Sequence, residues 1–393
     1  LDRILDLVVQ KSLKHMKAEQ GAVLLLDEKK EEKPFQTMIR GWDTTTDTLP
    51  FRLDTQLTGW MLKNRQPLLI NNLKEDRRFH TMTDESLAIR SLLCVPLILK
   101  GHMIGLVSLF NKKAAEGFSQ EDQRLLSIIA AQSTQIIENA RLLREEQELI
   151  KIQEELRLAY DIQTNLLPEK PPAISEYDIF GKSIPAKEVG GDYFDFIPLQ
   201  DNQLVFCLGD VSGKGMGAAL LMANLQATIR GQALLKQSIT HSLDNANRLL
   251  FNNTSPEKFA TLFYGCLDYR NHELRYCNAG HNLPFLFSAK QKPLLLKEGG
   301  MIIGCMESVA YEEKKIPIKK GDTLVIYSDG ITEAINSEDH EFSEKKLERI
   351  IEKNQHQSSR DLIETIISAV TEYTGDSPQT DDMTLMIIKR MVF

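Results

Sequence analysis

Four short acidic motifs lie in the second half of the chain. They are Gly190-Gly191-Asp192-Tyr193-Phe194-Asp195, Gly209-Asp210-Val211-Ser212-Gly213-Lys214-Gly215, Ser328-Asp329-Gly330-Ile331-Thr332-Glu333 and Gln379-Thr380-Asp381-Asp382-Met383-Thr384. Apolar runs lead into Asp210 and Asp329, and another follows Asp381, which puts these aspartates at strand ends. Carboxylates that converge from strand ends repel one another unless a cation neutralises them. Mg²⁺ and Mn²⁺ accept such oxygen ligands while keeping several waters. Two ions about 4 Å apart acidify a bridging water and clamp a phosphoryl oxygen, so the water can attack phosphorus in line with the leaving oxygen. No protein nucleophile is then needed, and no cysteine is followed by arginine at the C-x5-R spacing.

Taken singly, each motif is weak. Asp329-Gly330 alone reads as a turn. Ser212-Gly213-Lys214-Gly215 does not satisfy G-x-x-x-x-G-K-[ST]; its glycines let the backbone turn tightly beside an ion, where the Val211 carbonyl is also available. His281 invites a role as general acid, but Asn278-Ala279-Gly280-His281 reads better as a strand turn.

The elements that must position these residues follow from periodicity. Ile4, Leu5, Val8, Val9, Leu13 and Met16 have helical spacing. Strand-like runs follow at 22–26, 37–40, 67–70, 92–99 and 104–110, with a hairpin signal at Lys100-Gly101 and short helices at 59–64 and 84–89. This is an α/β segment on an antiparallel sheet. From Ser119, paired with Asp122 as a capping box, no proline or glycine interrupts the pattern until Pro168. Leu149, Ile152, Leu156, Ala159, Gln163 and Leu166 alternate three and four apart, a heptad seam with Gln163 as its polar member. Ile129, Ile136, Leu143 and Ile150 form a second, shifted stripe. About 50 unbroken residues exceed an ordinary globular helix and point to a parallel dimeric coiled coil. Beyond Pro168 come strands at 177–184, 193–199, 203–210, 259–268, 273–278, 283–287, 322–328 and 383–389. Helices are expected at 217–236, 239–252, 343–355 and 359–374.

A length of 393 residues suits two domains and a linker: 1–135, 136–170 and 171–393. The net charge of -8 argues against a nucleic-acid partner, which calls for a basic face. Five scattered cysteines without C-x-x-C fit a reducing cytoplasm. The most apolar stretch, 91–110, holds Pro96, Lys100, Gly101 and His102, and reads as two strands rather than a membrane span. The chain starts without methionine and already in helical periodicity, so a module upstream is compatible with it.

From about residue 162 the chain resembles the SpoIIE/RsbU-like branch of the PPM (PP2C-type) serine/threonine phosphatases. The residues that carry the likeness are Ile162-Gln163, Leu166-Leu167-Pro168, Glu188 to Asp192, Gly209 to Gly215, Ala218 to Ala223, Phe259 to Phe263, Asn278 to Asn282, Tyr327 to Glu333 and Asp381 to Thr384. The resemblance implies an α–β–β–α sandwich and a site for two Mn²⁺ or Mg²⁺ ions. Asp192 and Asp210 would form that centre with the Val211 carbonyl, and Asp329 and Asp381 would complete it; Asp382 competes with Asp381 for its slot. The arginine that grips phosphate in eukaryotic PP2C enzymes has no counterpart here. The family's substrate class implies a phosphorylated STAS-domain regulator (an anti-sigma-factor antagonist) as partner.

Residues 1–135 resemble a GAF domain through Gly59-Trp60, Gln66 to Ile70, Asp76 to Phe79, Ser91 to Leu97, Gly101, Ile104-Gly105 and Asn111-Lys112. Such domains bind a small molecule or a partner. Asn111-Lys112 with Phe118 and Asp122 is similar to a cyclic-nucleotide signature, but Gln123 stands where Glu is expected. Cys94, between Leu93 and Val95, reads as strand core rather than an anchor for bilin or haem. The expected fold class is α+β in two domains, a GAF-like antiparallel sheet, a helical linker and a phosphatase sandwich. The rival reading is a sensor or scaffold with an inactive phosphatase-like domain.

Overall fold

The computed structural model describes residues 2–26, 35–42, 55–79, 89–235, 237–255, 257–288 and 291–392. They form two compact units, Leu1–Lys151 and Ile152–Phe393. The helix expected at 84–89 lies almost wholly outside the described residues.

In the first unit, helix α1 (Asp2–Met16) precedes strands β1 (Ala18–Leu26) and β2 (Phe35–Trp42), helix α2 (Thr55–Asn64), and strands β3 (Leu68–Ile70), β4 (Leu92–Leu99) and β5 (His102–Lys112). All pairings are antiparallel, in the order β2-β1-β5-β4-β3. Period-two alternation sends Val23 and Leu25 of β1 to one face, under α1, and Ala22 and Leu24 to the other, under α2. Leu99 pairs with His102, so Lys100-Gly101 is a two-residue hairpin turn with both φ angles positive (47° and 83°), as a type I′ turn requires.

Helix α3 runs from Gln120 to Leu166. Its start is the expected capping box: Ser119 N donates to Asp122 Oδ2 at 2.8 Å, and Asp122 N donates to Ser119 Oγ at 3.1 Å. Leu126, Ala130 and Ile137 pack into the α1 side of the first core.

The second unit continues with β6 (Tyr177–Ile184), β7 (Tyr193–Pro198), β8 (Gln203–Val211), α4 (Met216–Leu234), α5 (Ile239–Asn253), β9 (Ala260–Asp268), β10 (Glu273–Ala279), β11 (Phe285–Phe287), β12 (Leu294–Leu295), β13 (Gly299–Gly300), β14 (Lys314–Pro317), β15 (Thr323–Tyr327), α6 (Asp329–Thr332), α7 (Glu344–Asn354), α8 (Ser359–Thr374) and β16 (Met383–Arg390). One sheet has the order β13-β10-β9-β8-β7, with β14 also on β10; the other is β12-β11-β15-β16-β6. Phe194, Phe206, Phe263 and Tyr276 of the first sheet pack against Ile179, Ile326 and Met386 of the second. The outer face of the first sheet carries α4 and α5 through Leu225, Ile229 and Leu243; that of the second carries α7 and α8 through Leu347, Ile363 and Ile366. The layers are therefore α–β–β–α, as the resemblance implied. No helix among the described residues is long and apolar enough to cross a membrane.

Helix α4, which follows the Asp210 loop, is fixed to β7 by an ion pair between a buried aspartate and a half-exposed arginine. Asp195 is fully buried and takes Arg230 Nε at 2.6 Å and Nη2 at 3.0 Å, besides the Tyr193 hydroxyl and the Phe196 N–H. Removing the arginine leaves a buried carboxylate without its cation. Arg230→Ala is expected to lower the second unit's stability by about 1–2 kcal/mol in urea titration; a loss within about 0.5 kcal/mol would contradict the brace.

Candidate active site

The ends of the two sheets meet where the four motifs fall. Tyr193 of β7 pairs with Gly209 of β8, which sets Asp192 beside Asp210. In the second sheet Tyr327 pairs with Leu385, which sets the start of α6, at Asp329, beside Asp381 and Asp382. Glycines let these segments close up. A Cβ on Gly191 would stand 3.1 Å from both Asp210 Oδ1 and the Val211 carbonyl, and one on Gly330 would strike the Asp382 carbonyl at 2.1 Å.

Asp382 joins the two halves. Its Oδ1 accepts from Ala186 N at 2.8 Å, and its Oδ2 accepts from Gly191 N at 2.6 Å and Asp192 N at 3.3 Å. Its carbonyl accepts from Ser328 Oγ at 3.0 Å, and that oxygen accepts from Thr384 N at 2.9 Å. Both carboxylate oxygens are thus spent on backbone. Asp381 faces outward: its Oδ1 accepts from Asp382 N, and its Oδ2 lies 2.7 Å from Lys214 Nζ, which also donates to the Thr380 carbonyl at 2.7 Å.

Asp192 is 5% exposed, and its Oδ2 has no hydrogen-bond partner. Burial first, then the charge of Asp210, pushes its carboxyl well above the usual range, with hydrogen bonding from Thr384 opposing. Asp210 is pushed up to about 7, chiefly by burial and then by Asp329, Asp381 and Asp382, with Lys214 opposing. Asp329 is raised by burial and by Asp381. The structure thus brings Asp192, Asp210, Val211, Asp329, Asp381 and Asp382 into one electrostatic cluster. Among the described residues no three acidic, histidine or cysteine side chains stand close enough together to hold a metal ion as they are placed; Asp381 is turned to Lys214 and Asp382 to backbone.

His281 lies behind this cluster rather than in it. It is 4% exposed, its Nδ1 is 2.9 Å from Thr261 Oγ1, and Thr261 pairs with Asp210 across β8 and β9. Burial lowers its pKa to about 4. Asn278 Oδ1 accepts from His281 N at 2.7 Å and Gly280 has φ +70°, the expected strand turn.

Gln163 departs from the sequence reading. It is no seam residue: it is buried, its Nε2 donates to the Gly190 carbonyl at 2.7 Å, and its Oε1 accepts from Gly190 N at 3.0 Å. The last turns of α3 are therefore bonded to the loop that carries Asp192. Lys214 and the stapling role of Asp382 were also missed. A positive φ of 101° at Gly213 and 73° at Gly215 returns Lys214 over the acids, and the two glycines flanking Lys214 were the available signal.

Residues 200–391 match the family described as Stage II sporulation protein E (SpoIIE), and residues 1–138 match a GAF domain. The second unit is a SpoIIE-type PP2C phosphatase domain, and the first is a GAF domain. The chain is 29% identical over 243 residues to phosphoserine phosphatase RsbU of Bacillus subtilis, covering 62% of this chain and 72% of RsbU. It is 25% identical over 181 residues to phosphoserine phosphatase RsbP of the same organism, covering 45% of each. The SiaA PP2C domain of Pseudomonas aeruginosa shares the fold, with a TM-score of 0.55 at 21% identity over 62% of this chain and 98% of that domain.

The raised carboxyls give a pH signature. A carboxyl with a higher pKa folded than unfolded binds more protons in the folded state, so stability falls as pH rises from about 4 through about 7. In chelator, the phosphatase domain's Tm is expected to drop between pH 5 and pH 8, and Asp210→Asn to melt higher than wild type at pH 8. A flat profile, or an Asp210→Asn protein that melts lower at pH 8, contradicts this electrostatic strain.

Proposed function

We propose that the chain is a metal-dependent protein serine/threonine phosphatase acting on a phosphorylated STAS-domain regulator. The observation that carries this reading is Asp192: a buried carboxylate with a free oxygen, set beside Asp210 at the mouth of both sheets. A lone buried carboxylate with raised pKa is costly, and a cation relieves that cost. The donor set fits Mn²⁺ or Mg²⁺, being carboxylates and a carbonyl with room for water. Asp192 and Asp210, with the Val211 carbonyl, would hold two ions, and Asp329 and Asp381 would complete the set once Asp381 turns from Lys214. Asp382 is better suited to bracing than to ligation, since backbone N–H groups occupy both its oxygens. Such ions acidify water and stabilise phosphoryl charge. The chain's part is to hold that water and the phosphoryl group in line, and to keep ligand geometry fixed through Asp382, Ser328 and Gln163.

The RsbU and RsbP relatives, both described as phosphoserine phosphatases, support this activity. We assign residues 1–135 to a sensory domain for a small-molecule or protein signal, 136–170 to a linker and 171–393 to the phosphatase. The linker is read as a homodimeric seam, supported by the exposure of Leu142, Leu143, Leu149, Ile150 and Ile152 on α3. A signal would change the linker's register and shift α4 and the Asp192 loop, to which α3 is bonded through Gln163. Five free cysteines agree with a cytoplasmic setting.

Purified protein with Mn²⁺ is expected to release phosphate from a phosphoserine STAS protein of its host. Asp192→Asn or Asp210→Asn should cut turnover more than about 100-fold. Undiminished turnover in either variant, or in chelator, would sink the assignment and favour an inactive sensor or scaffold. Charged substitutions at Leu156 and Ala159 are expected to yield monomers with altered activity; a dimer with unchanged activity and regulation contradicts the linker's role.

A further inference from the structure

The acid cluster faces a phosphate ester with a charge problem. Asp192, Asp210, Asp329, Asp381 and Asp382 bring up to five negative charges, and two divalent ions would supply only four positive ones. A phosphate dianion approaching that site needs a further cation. No arginine lines the cleft beside Asp381 among the described residues; Lys187 and Lys214 do. Arg230, on the helix that follows Lys214, is committed to Asp195.

Among the described residues Lys214 alone has its ammonium in a salt bridge with one of these acids. Asp210, Asp329, Asp381 and Asp382 all act on it or are acted on by it. Its side chain is half-exposed, so it is free to turn, and only one of its two short contacts is ionic, with Asp381. An ion that engages Asp381 competes with that contact and releases the ammonium. Anchored by the Thr380 carbonyl, the ammonium keeps two N–H donors for a second partner. The second lysine near this loop, Lys258, donates to the Ser212 carbonyl at 3.4 Å, beside Gly213.

Resting on the reading of this cluster as a divalent-ion phosphatase centre, we propose that Lys214 is its phosphate-binding residue. It holds Asp381 before the ions arrive, and grips the phosphoryl oxygens of a phosphoserine or phosphothreonine substrate after they do. It takes the place of the missing arginine as a mobile point charge rather than a planar fork.

The test uses the full chain as wild type, Lys214→Met, Lys214→Arg and, as a control on the same cleft, Lys187→Met. Calorimetry first measures Mn²⁺ binding without substrate, then inorganic phosphate binding to the Mn²⁺-loaded protein. Lys214→Met is expected to bind Mn²⁺ at least as tightly as wild type, because a competing cation is gone. Its phosphate affinity should fall about tenfold or more, with KM for a phosphoserine peptide rising in step. Lys214→Arg should recover most of both, and Lys187→Met should change neither. Unchanged phosphate affinity in Lys214→Met, a loss of Mn²⁺ binding alongside it, or the larger loss in Lys187→Met overturns the proposal. A wild-type protein that takes up no Mn²⁺ overturns the phosphatase-centre reading itself.

Discussion

Like-charge repulsion at the shared end of two sheets is the constraint on which the phosphatase domain is built. Asp192 and Asp210 come from the first sheet, and Asp329, Asp381 and Asp382 from the second. Left alone, such acids would push the sheet ends apart. Asp382 turns one of the charges into a fastener, its carboxylate taking the N–H of residue 186, just past β6 of its own sheet, and those of residues 191 and 192, which lead into β7 of the other. Lys214 offsets a second charge at Asp381. What remains is around Asp192 and Asp210, whose carboxyls are pushed up by burial first and by the neighbouring acids second.

The rest of the domain serves that end. The inter-sheet core of Phe194, Phe206, Phe263 and Tyr276 against Ile326 and Met386 sets the separation of the sheets. Arg230 and Asp195 pin α4 to β7, so the Asp210 loop cannot drift from the helix it enters. Gln163 ties α3 to Gly190, two residues before Asp192. A displacement of the last turns of α3 therefore meets the acid cluster through hydrogen bonds rather than through loose packing.

Much of this was legible in the sequence because it rests on local rules. Strand alternation, the Lys100-Gly101 turn, the Ser119 and Asp122 capping box and the proline stop at Pro168 are each decided by a few neighbouring residues. The acidic motifs, each weak alone, were visible because their order and their places at strand ends point together to one chemistry. The illegible features are those in which a side chain answers to backbone far away. A heptad count placed Gln163 on a seam because spacing carries no information about what lies alongside. Asp381 and Asp382 are chemically identical in sequence, and only the three N–H groups facing Asp382 tell them apart. Strands β12 to β14 escaped because Leu294–Leu295 and Gly299–Gly300 are too short for any period, and Lys314–Pro317 begins on paired lysines.

The account stands most directly on where divalent ions settle. Crystals of the full chain grown with Mn²⁺, measured at the manganese absorption edge, are predicted to show two anomalous peaks between Asp192 and Asp210. Each peak should lie on the order of 2 Å from a carboxylate oxygen, with Asp381 turned away from Lys214. Manganese bound elsewhere, or crystals soaked to saturation with no peak beside Asp192, would contradict it.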